Sequence, residues 1–182
     1  MGRYLLSEKY RAILLPSGTV QLDLGGYGKG FAVDRMVALL GEWNINHAVV
    51  HGGSSTVLAA EPPPGEEGWP LTISIPGTWE VMARISLAHQ ALSGSGLEKA
   101  QHIIDPRSGR PVEGRRAAWC LAPRAGLADA LSTAFIIMQL GEIEAYCSVH
   151  TDVAALVMDM QIESDPVIHR FGDWGKTDFL IS

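Results

Sequence analysis

The sequence of 182 residues lacks several features that would assign it to a common protein class. It has only two cysteines, Cys120 and Cys147, too few for a disulfide framework or a zinc site, so we expect two free thiols that are partly buried. No apolar run is long enough to span a bilayer. The first ten residues are polar and lack the apolar segment of a signal peptide. As it stands, the sequence predicts a soluble, cytoplasmic protein but leaves the compartment open.

Positive charge is also scarce. The sequence has 14 Lys and Arg residues against 20 Asp and Glu residues, which gives a net charge of −6. Proteins that coat nucleic acid or anionic lipid usually carry a net positive charge, so nucleic acid is not an expected partner. The content of 47% hydrophobic and 19% charged residues is that of a globular protein, and the length suits a single domain over residues 1–182.

The hydrophobic patterning predicts an α+β fold in which a mixed or antiparallel sheet packs with two principal helices. The predicted helices are 31–40 and 127–146, and the second is apolar on more than one face. A polar loop is predicted over 94–101 and a turn-rich unit over 102–109. The predicted strands are 10–15, 20–24, 48–50, 56–60, 71–75, 81–87, 117–122, 154–158 and 167–171.

A glycine-rich run, Asp23-Leu-Gly-Gly-Tyr-Gly-Lys-Gly30, lies between a predicted strand and a predicted helix. Four glycines allow a close approach by another group, and the backbone N–H groups at a helix start can face a phosphate. Lys29 would add a positive charge and Asp23 a carboxylate. The run has neither Walker A nor Rossmann spacing. On these residues alone, a phosphate-binding turn and a plain strand–helix turn are both open.

Asp129 and Thr133 lie four residues apart at the start of the long predicted helix, so their side chains project from the same face. A carboxylate and a hydroxyl are hard ligands that suit Mg²⁺, which usually completes its coordination with phosphate and water. In the alternative interpretation, Asp129 stabilises the first helical turn by about 0.3–1 kcal/mol. Thr133 would then hydrogen-bond to the preceding turn.

His102 precedes an Asp105-Pro106 turn and is a candidate general base, because the pKa of histidine lies near neutral pH. In the alternative interpretation, this segment is an ordinary turn and His102 has a structural role. The other five histidines have no neighbours with metal-ligand spacing. Tryptophans such as Trp119 and Trp174 could line a flavin site or pack in the core.

Four motifs, taken in order, resemble those of the ApbE family. Leu22–Arg35, which reads LDLGGYGKGFAVDR, is similar to the family's LDLGGIAKGYAVDR signature, and Ala48–Gly53 is similar to its next strand and Gly-Gly turn. Ser93-Gly94 followed by His102–Gly109 resembles its SG…HIIDPRTG stretch, and Ala128–Ala134 its ADALSTA helix. The motifs cover about residues 10–180, so the sequence is identified as an ApbE-like protein.

This resemblance implies an ApbE-like, T-fold-like architecture and a flavin transferase activity. Members of the family bind FAD with Mg²⁺ and attach FMN to a Thr or Ser of an acceptor flavoprotein, while some hydrolyse FAD to FMN and AMP. The implied Mg²⁺ ligands are the Gly26 carbonyl, the Asp129 carboxylate and the Thr133 hydroxyl, and His102 is the implied base. The implied FAD-binding residues are Asp23, Gly25, Lys29, Ser93, Gly94, His102, Ile103 and Asp105.

The sequence also departs from the family pattern. The family's longer chains have a substantial N-terminal half before the LDLGG motif, Ser54 replaces a common Asp, and the segment between Gly94 and His102 lacks the usual aromatic and arginine residues. Three hypotheses follow. The first is FMN transfer, alone or with a completing partner chain. The second is a non-catalytic binding module, such as a homodimer, and the third is a Mg²⁺-dependent FAD pyrophosphatase.

Overall fold

An antiparallel sheet of six strands forms the centre of the fold. The computed structural model describes residues 5–14, 23–96, 103–112, 115–159 and 166–181. The strands are β1 Leu5–Ser7, β2 Ala12–Leu14, β3 Val49–Gly52, β4 Thr56–Ala59, β5 Trp69–Ser74, β6 Val81–Leu87, β7 Gln90–Gly96, β8 Ile104–Asp105, β9 Arg110–Pro111, β10 Arg115–Ala122, β11 Ala154–Asp159, β12 Val167–Phe171 and β13 Thr177–Phe179. The helices in the described residues are α1 Gly28–Glu42, α2 Ala125–Ile137 and α3 Leu140–Val149.

The molecule has three layers. The central sheet has the strand order β12-β11-β10-β7-β4-β3, and the order β13-β6-β5 forms a second sheet. Side chains alternate along β10, so Ala118 and Cys120 pack on the helix side while Ala117 and Leu121 pack toward the second sheet. The helices and the second sheet thus cover opposite faces of the central sheet.

The helices α1 and α2 approach each other very closely at Gly30. A Cβ atom at Gly30 would lie 2.1 Å from the backbone oxygen of Ala125, so only glycine fits there without moving a helix. Asp34 of α1 adds a polar contact, because its two carboxylate oxygens accept the backbone N–H groups of Ala125 and Gly126 at 2.7 and 2.9 Å. The start of α2 is therefore capped by a side chain of α1.

The predicted α+β class is confirmed, and the strand predicted over 81–87 coincides with β6. The single helix predicted over 127–146 is divided in the structure, because this segment contains parts of both α2 and α3. The chain leaves the helical conformation at Met138 and Gln139, whose ψ angles are 147° and 152°. The carboxylate of Glu142 then accepts the N–H of Gln139 at 2.7 Å and helps to start α3.

Two other sequence-based boundaries are wrong. Residues 94–96, predicted as a loop, are the end of β7, which lies between β10 and β4 in the central sheet. At the N-terminus, the described strands are the β1–β2 hairpin, while Asp23 and Leu24, at the end of a predicted strand, lead directly into the glycine-rich turn. The remainder of the predicted strand 20–24 lies outside the described residues. No helix in the described part of the chain has the length and apolar character needed to cross a membrane.

Candidate functional site

The glycine-rich turn begins with hydrogen bonds that use Asp23 and Leu24. The Asp23 carboxylate accepts the N–H of Gly25 at 2.7 Å, and the Leu24 carbonyl accepts the N–H groups of Tyr27 and Gly28 at 3.0 and 2.7 Å. Asp23 thus forms a local turn with its own backbone. These bonds lead the chain into the first turn of α1, where Lys29 lies between Gly28 and Gly30.

Asp129, near the start of α2, is the buried charged group of this region, with 1% of its surface exposed. Its Oδ2 accepts the N–H of Gly30 at 3.0 Å, and the Lys29 ammonium lies 3.2 Å from its Oδ1. The Lys29 side chain is 46% exposed, and its nitrogen also lies 3.4 Å from the carbonyl oxygen of Gly25. The carboxylate is therefore held between the backbone of α1 and a cation that reaches solvent.

Two hydroxyl groups from the central sheet contact the same carboxylate. The Ser93 and Thr56 hydroxyls lie 3.3 and 3.5 Å from Asp129 Oδ1, and they lie 2.8 Å from each other. Both residues are almost fully buried, with exposures of 0% and 2%. Each hydroxyl has a single proton, so one of the pair donates to the other and the second donates to Asp129. A buried carboxylate without such a donor would be costly.

A second group of hydroxyls surrounds the next turn of α2. Ser95 lies 2.8 Å from the Ser132 hydroxyl and 3.0 Å from the Thr133 hydroxyl. Thr133 also donates to the Asp129 carbonyl oxygen at 3.4 Å, and a Cβ atom at Gly26 would lie 3.4 Å from the Thr133 hydroxyl. The fold thus brings together Gly26, Asp129 and Thr133, the three residues implied as metal ligands.

These groups are suited to a hard cation. A carboxylate, a hydroxyl and a backbone carbonyl are all oxygen donors, and Mg²⁺ commonly takes one or two carboxylates and completes its shell with phosphate oxygens and water. Among the described residues there is no cluster of three His, Cys, Asp or Glu side chains. The donor set therefore fits a site that a phosphate ligand completes, and it does not resemble an all-protein cage.

The other implied FAD-binding residues lie in different surroundings. His102 is outside the described residues. Ile103 is 7% exposed and belongs to the core cluster on the helix side of the central sheet. Gly94 leaves space for the indole of Trp119, because a Cβ atom there would lie 2.7 Å from that ring.

Asp105 lies in the β8–β9 hairpin, where its carboxylate accepts the backbone N–H of Arg107 at 2.9 Å. That hydrogen bond is the main reason that the pKa of Asp105 lies below its ordinary value; desolvation opposes it, and the hydrogen bond and positive charge of the Arg107 side chain lower the pKa further. The Arg107 guanidinium also donates to the Ile137 carbonyl at the end of α2. Ile137 follows Asp129 by eight residues in α2, which corresponds to about 12 Å along the helix axis. Because Arg107 connects Asp105 to Ile137, Asp105 lies near the opposite end of α2 from Asp129.

Four of the polar residues that build the site were not identified from the sequence: Asp34, Thr56, Ser95 and Ser132. Asp34 and Ser132 lie within the quoted motifs, so motif membership was an available signal. Thr56 lies in an apolar predicted strand and Ser95 in a segment predicted as a loop, and neither sequence pattern indicates a buried hydroxyl group.

The cysteines and one tryptophan are structural. Cys120 and Cys147 are free and buried, and burial raises the pKa of both thiols, so both are neutral at ordinary pH. Trp174 is 7% exposed in the core between the two sheets, which agrees with the packing interpretation for this residue.

Comparisons with known proteins show the family of this chain. The ApbE family matches residues 3–157. The FAD:protein FMN transferase of Rhodobacter capsulatus is 34% identical in an alignment of 128 residues that covers 65% of this chain and 24% of that protein. The FAD:protein FMN transferase of Haemophilus influenzae is 30% identical in an alignment of 139 residues that covers 69% of this chain and 39% of that protein.

Among solved structures, the ApbE protein of Thermotoga maritima superposes with a TM-score of 0.79 at 26% identity, covering 92% of this chain and 56% of that one. The chain therefore spans about a quarter to two fifths of these two curated relatives and just over half of this structural relative. The match over most of its length shows that the chain belongs to the ApbE family.

Proposed function

We propose that this chain carries the metal- and pyrophosphate-binding part of a Mg²⁺-dependent transferase that moves FMN from FAD to a Thr or Ser hydroxyl of an acceptor flavoprotein. The observation that carries the proposal is the buried Asp129 carboxylate, which lies where the glycine-rich turn, the central sheet and the start of α2 meet. Two relatives with the name FAD:protein FMN transferase support the reaction class.

In this proposal, Gly26, Asp129 and Thr133 hold the cation through a carbonyl, a carboxylate and a hydroxyl. A bound Mg²⁺ would neutralise charge on the pyrophosphate oxygens and orient them. The chain's own residues fix the carboxylate: the Gly30 N–H sets Oδ2, and the Thr56–Ser93 hydroxyl pair sets Oδ1. Such fixation matters because phosphoryl transfer depends mainly on positioning and on electrostatic stabilisation.

The glycine-rich turn and Lys29 bind the phosphates in this proposal. Lys29 is half-exposed, so its ammonium can leave the Asp129 carboxylate and pair with a pyrophosphate oxygen once a cation takes its place. The start of α1 supplies backbone N–H groups and the favourable end of the helix dipole. Asp23 and Gly25 form the turn that directs these groups.

The acceptor hydroxyl attacks the FMN phosphorus, a new phosphoester bond forms, and the bond to the AMP oxygen breaks. His102 is the proposed base that takes the hydroxyl proton, as the family resemblance implies. Ser93, Gly94, Ile103 and Asp105 remain predicted FAD-binding residues. Because the chain spans only part of its relatives, we propose that further polypeptide completes the flavin and adenine ends of the pocket.

A non-catalytic role is the second candidate, and one observation favours it. The Asp129 carboxylate already has a cation, a backbone N–H group and two hydroxyls as partners. A buried carboxylate with these partners can serve the stability of the fold alone, without binding a cation. The two candidates differ in whether a divalent cation competes with Lys29 for the carboxylate.

The deciding experiment is a titration of FAD into the purified chain with and without Mg²⁺, followed by flavin fluorescence, with AMP measured in the same samples. Mg²⁺-dependent binding with AMP release and FMN attached to an added acceptor protein is the result expected for the transferase. FMN and AMP released without a labelled acceptor would indicate the pyrophosphatase. No binding at millimolar FAD would rule out activity of this chain alone and favour the non-catalytic role.

Variants assign the effect to the proposed ligands. Asp129→Asn and Thr133→Val should abolish the Mg²⁺-dependent part of FAD binding, because each removes one oxygen ligand. Asp178→Asn and Thr72→Val are matched controls, since both side chains are exposed on the second sheet. Thermal unfolding of each variant separates loss of ligand from loss of fold. Full Mg²⁺ dependence in folded Asp129→Asn would exclude the metal assignment.

A further inference from the structure

Helix α1 has a second apolar face that nothing in the described structure covers. Its inner face packs into the core through Val33 and Val37. On another side, Ala32, Met36 and Leu39 of α1 and Trp43, the residue that follows α1, form what we call the outer stripe. Its three large side chains are 41%, 48% and 78% exposed.

The spacing of the outer stripe is that of a helix-packing seam. Its residues stand at i, i+4, i+7 and i+11, so they follow one line along the helix surface. Single exposed apolar residues are common on protein surfaces, but a contiguous stripe usually marks an interaction site. A surface helix is normally polar on this side, and here the polar residues Arg35 and Glu42 stand only on one flank of the stripe.

We propose that the outer stripe binds the outer stripe of a second copy of this chain, with the two α1 helices antiparallel about a twofold axis. Such a symmetric contact requires a surface that is complementary to itself. With the axis midway along the stripe, Ala32 faces Trp43 of the second copy, and Met36 faces Leu39. The smallest residue therefore faces the largest, which allows the helices to pack closely.

The charged flank specifies the antiparallel direction. Arg35 and Glu42 are seven residues apart, so they lie on nearly the same side of the helix. In an antiparallel pair, this flank meets the same flank of the second copy, and Arg35 lies beside Glu42 of the second copy at two equivalent positions. In a parallel pair, the charged flank would instead face the opposite flank, which carries Leu40.

Both charges are available for this contact. Arg35 and Glu42 are exposed, and neither has an ion-pair partner within the described ranges. Ion pairs at the rim of an interface add little affinity but select orientation and partner. The apolar stripe thus provides the binding energy and the charged flank the direction. None of these residues belongs to the proposed catalytic site, so the dimer does not depend on the proposed function.

The first test is the molecular mass in solution, measured by sedimentation equilibrium from about 1 µM to about 1 mM, the range expected for a small interface. The wild-type chain should reach twice its mass of 19.6 kDa. Trp43→Glu should weaken association by about 30-fold or more, as expected when a large aromatic side chain in an interface is replaced by a charged one. Trp79→Glu is the matched control, because Trp79 is 98% exposed and lies in a turn far along the chain from α1.

A monomer at every concentration would overturn the proposal and leave the additional polypeptide of the relatives as the occupant of the stripe. Equal effects of the two tryptophan variants would also overturn it.

The second test is a charge exchange: Arg35→Glu and Glu42→Arg should each weaken the dimer several-fold, and the double variant should recover the wild-type association. Circular dichroism confirms that each variant is folded. A double variant as weak as the singles would contradict the antiparallel arrangement.

Discussion

Two aspartates from the recognised motifs lie near opposite ends of α2 and in contrasting environments. Asp129 is 1% exposed, and its partners Lys29, Gly30, Thr56 and Ser93 are 36 to 100 residues away in sequence. Asp105 belongs to a surface hairpin, and its partner is Arg107, two residues away. Asp129 therefore accepts hydrogen bonds from residues distant in sequence, whereas Asp105 accepts them from its own turn.

The difference determines how much of the molecule each aspartate supports. Removing the Asp129 carboxylate leaves donors from α1 and from the central sheet without their acceptor in a buried site. Removing Asp105 leaves donors that water can reach. We therefore expect substitutions around Asp129 to affect the fold as well as binding, and substitutions around Asp105 to remain local.

The largest effect is expected for Asp129→Ala. It should lower the free energy of unfolding by about 2–4 kcal/mol, because the Gly30 N–H and the Ser93 hydroxyl lose their acceptor inside the protein. Urea unfolding measures the loss, and Asp105→Ala is the matched control. A similar loss in the two variants would remove the contrast between the regions.

Gly30→Ala should have the next largest effect, about 1–3 kcal/mol of destabilisation, because its Cβ would lie 2.1 Å from the Ala125 oxygen and would push α1 away from α2. Gly41→Ala is the control within the same helix. A Cβ there meets no atom within 4 Å, so alanine should stabilise the protein by up to about 1 kcal/mol. Destabilisation by both changes would indicate a general sensitivity of α1 and contradict the specific close approach.

Asp34→Ala should cost about 1–2 kcal/mol, because the N–H groups of Ala125 and Gly126 lose the carboxylate that caps α2. Hydrogen exchange measures the result most directly, since the amides in the first turn of α2 should exchange faster while those at the end of α2 are unchanged. Asp178→Ala, on the second sheet, should leave both unchanged. Uniformly faster exchange along α2 would show that Asp34 supports the whole fold and not only the cap.

These contacts also explain how far the sequence could predict the structure. The glycine-rich run and the helix after it were predicted, because glycines followed by an amphipathic pattern are a local signal. The strand β7 was missed because Gln90–Gly96 is rich in Ser and Gly, which favour loops. Its small residues are explained only by tertiary packing, for example by the Trp119 ring that lies against Gly94.

The candidate site was predicted in part for a similar reason. Asp129 and Thr133 were singled out by their helical spacing and Gly26 by the motif resemblance, and in the structure the Thr133 hydroxyl lies beside Gly26 and the backbone carbonyl of Asp129. The partners of Asp129 on the sheet could not be predicted, because the pairing of Thr56 with Ser93 depends on the register of β4 against β7. The division between α2 and α3 was missed because both segments are apolar, which concealed the change of conformation at Met138 and Gln139.

The smallest effect is expected for Asp105→Asn, and its dependence on pH distinguishes it from the changes around Asp129. The pKa of Asp105 lies below its ordinary value of 3.8 in the folded state, so its charge stabilises the fold above that value. This contribution is lost as the pH falls through the lowered pKa. The melting temperature of the variant should therefore be slightly below that of the wild type at about pH 6, and the difference should shrink as the pH falls below the ordinary pKa and through the lowered one. Asparagine can still accept the Arg107 N–H, which isolates the effect of the charge. A difference that persists unchanged in acid would mean that Asp105 acts through packing, and the hairpin would then resemble the buried site more than its local hydrogen bonds indicate.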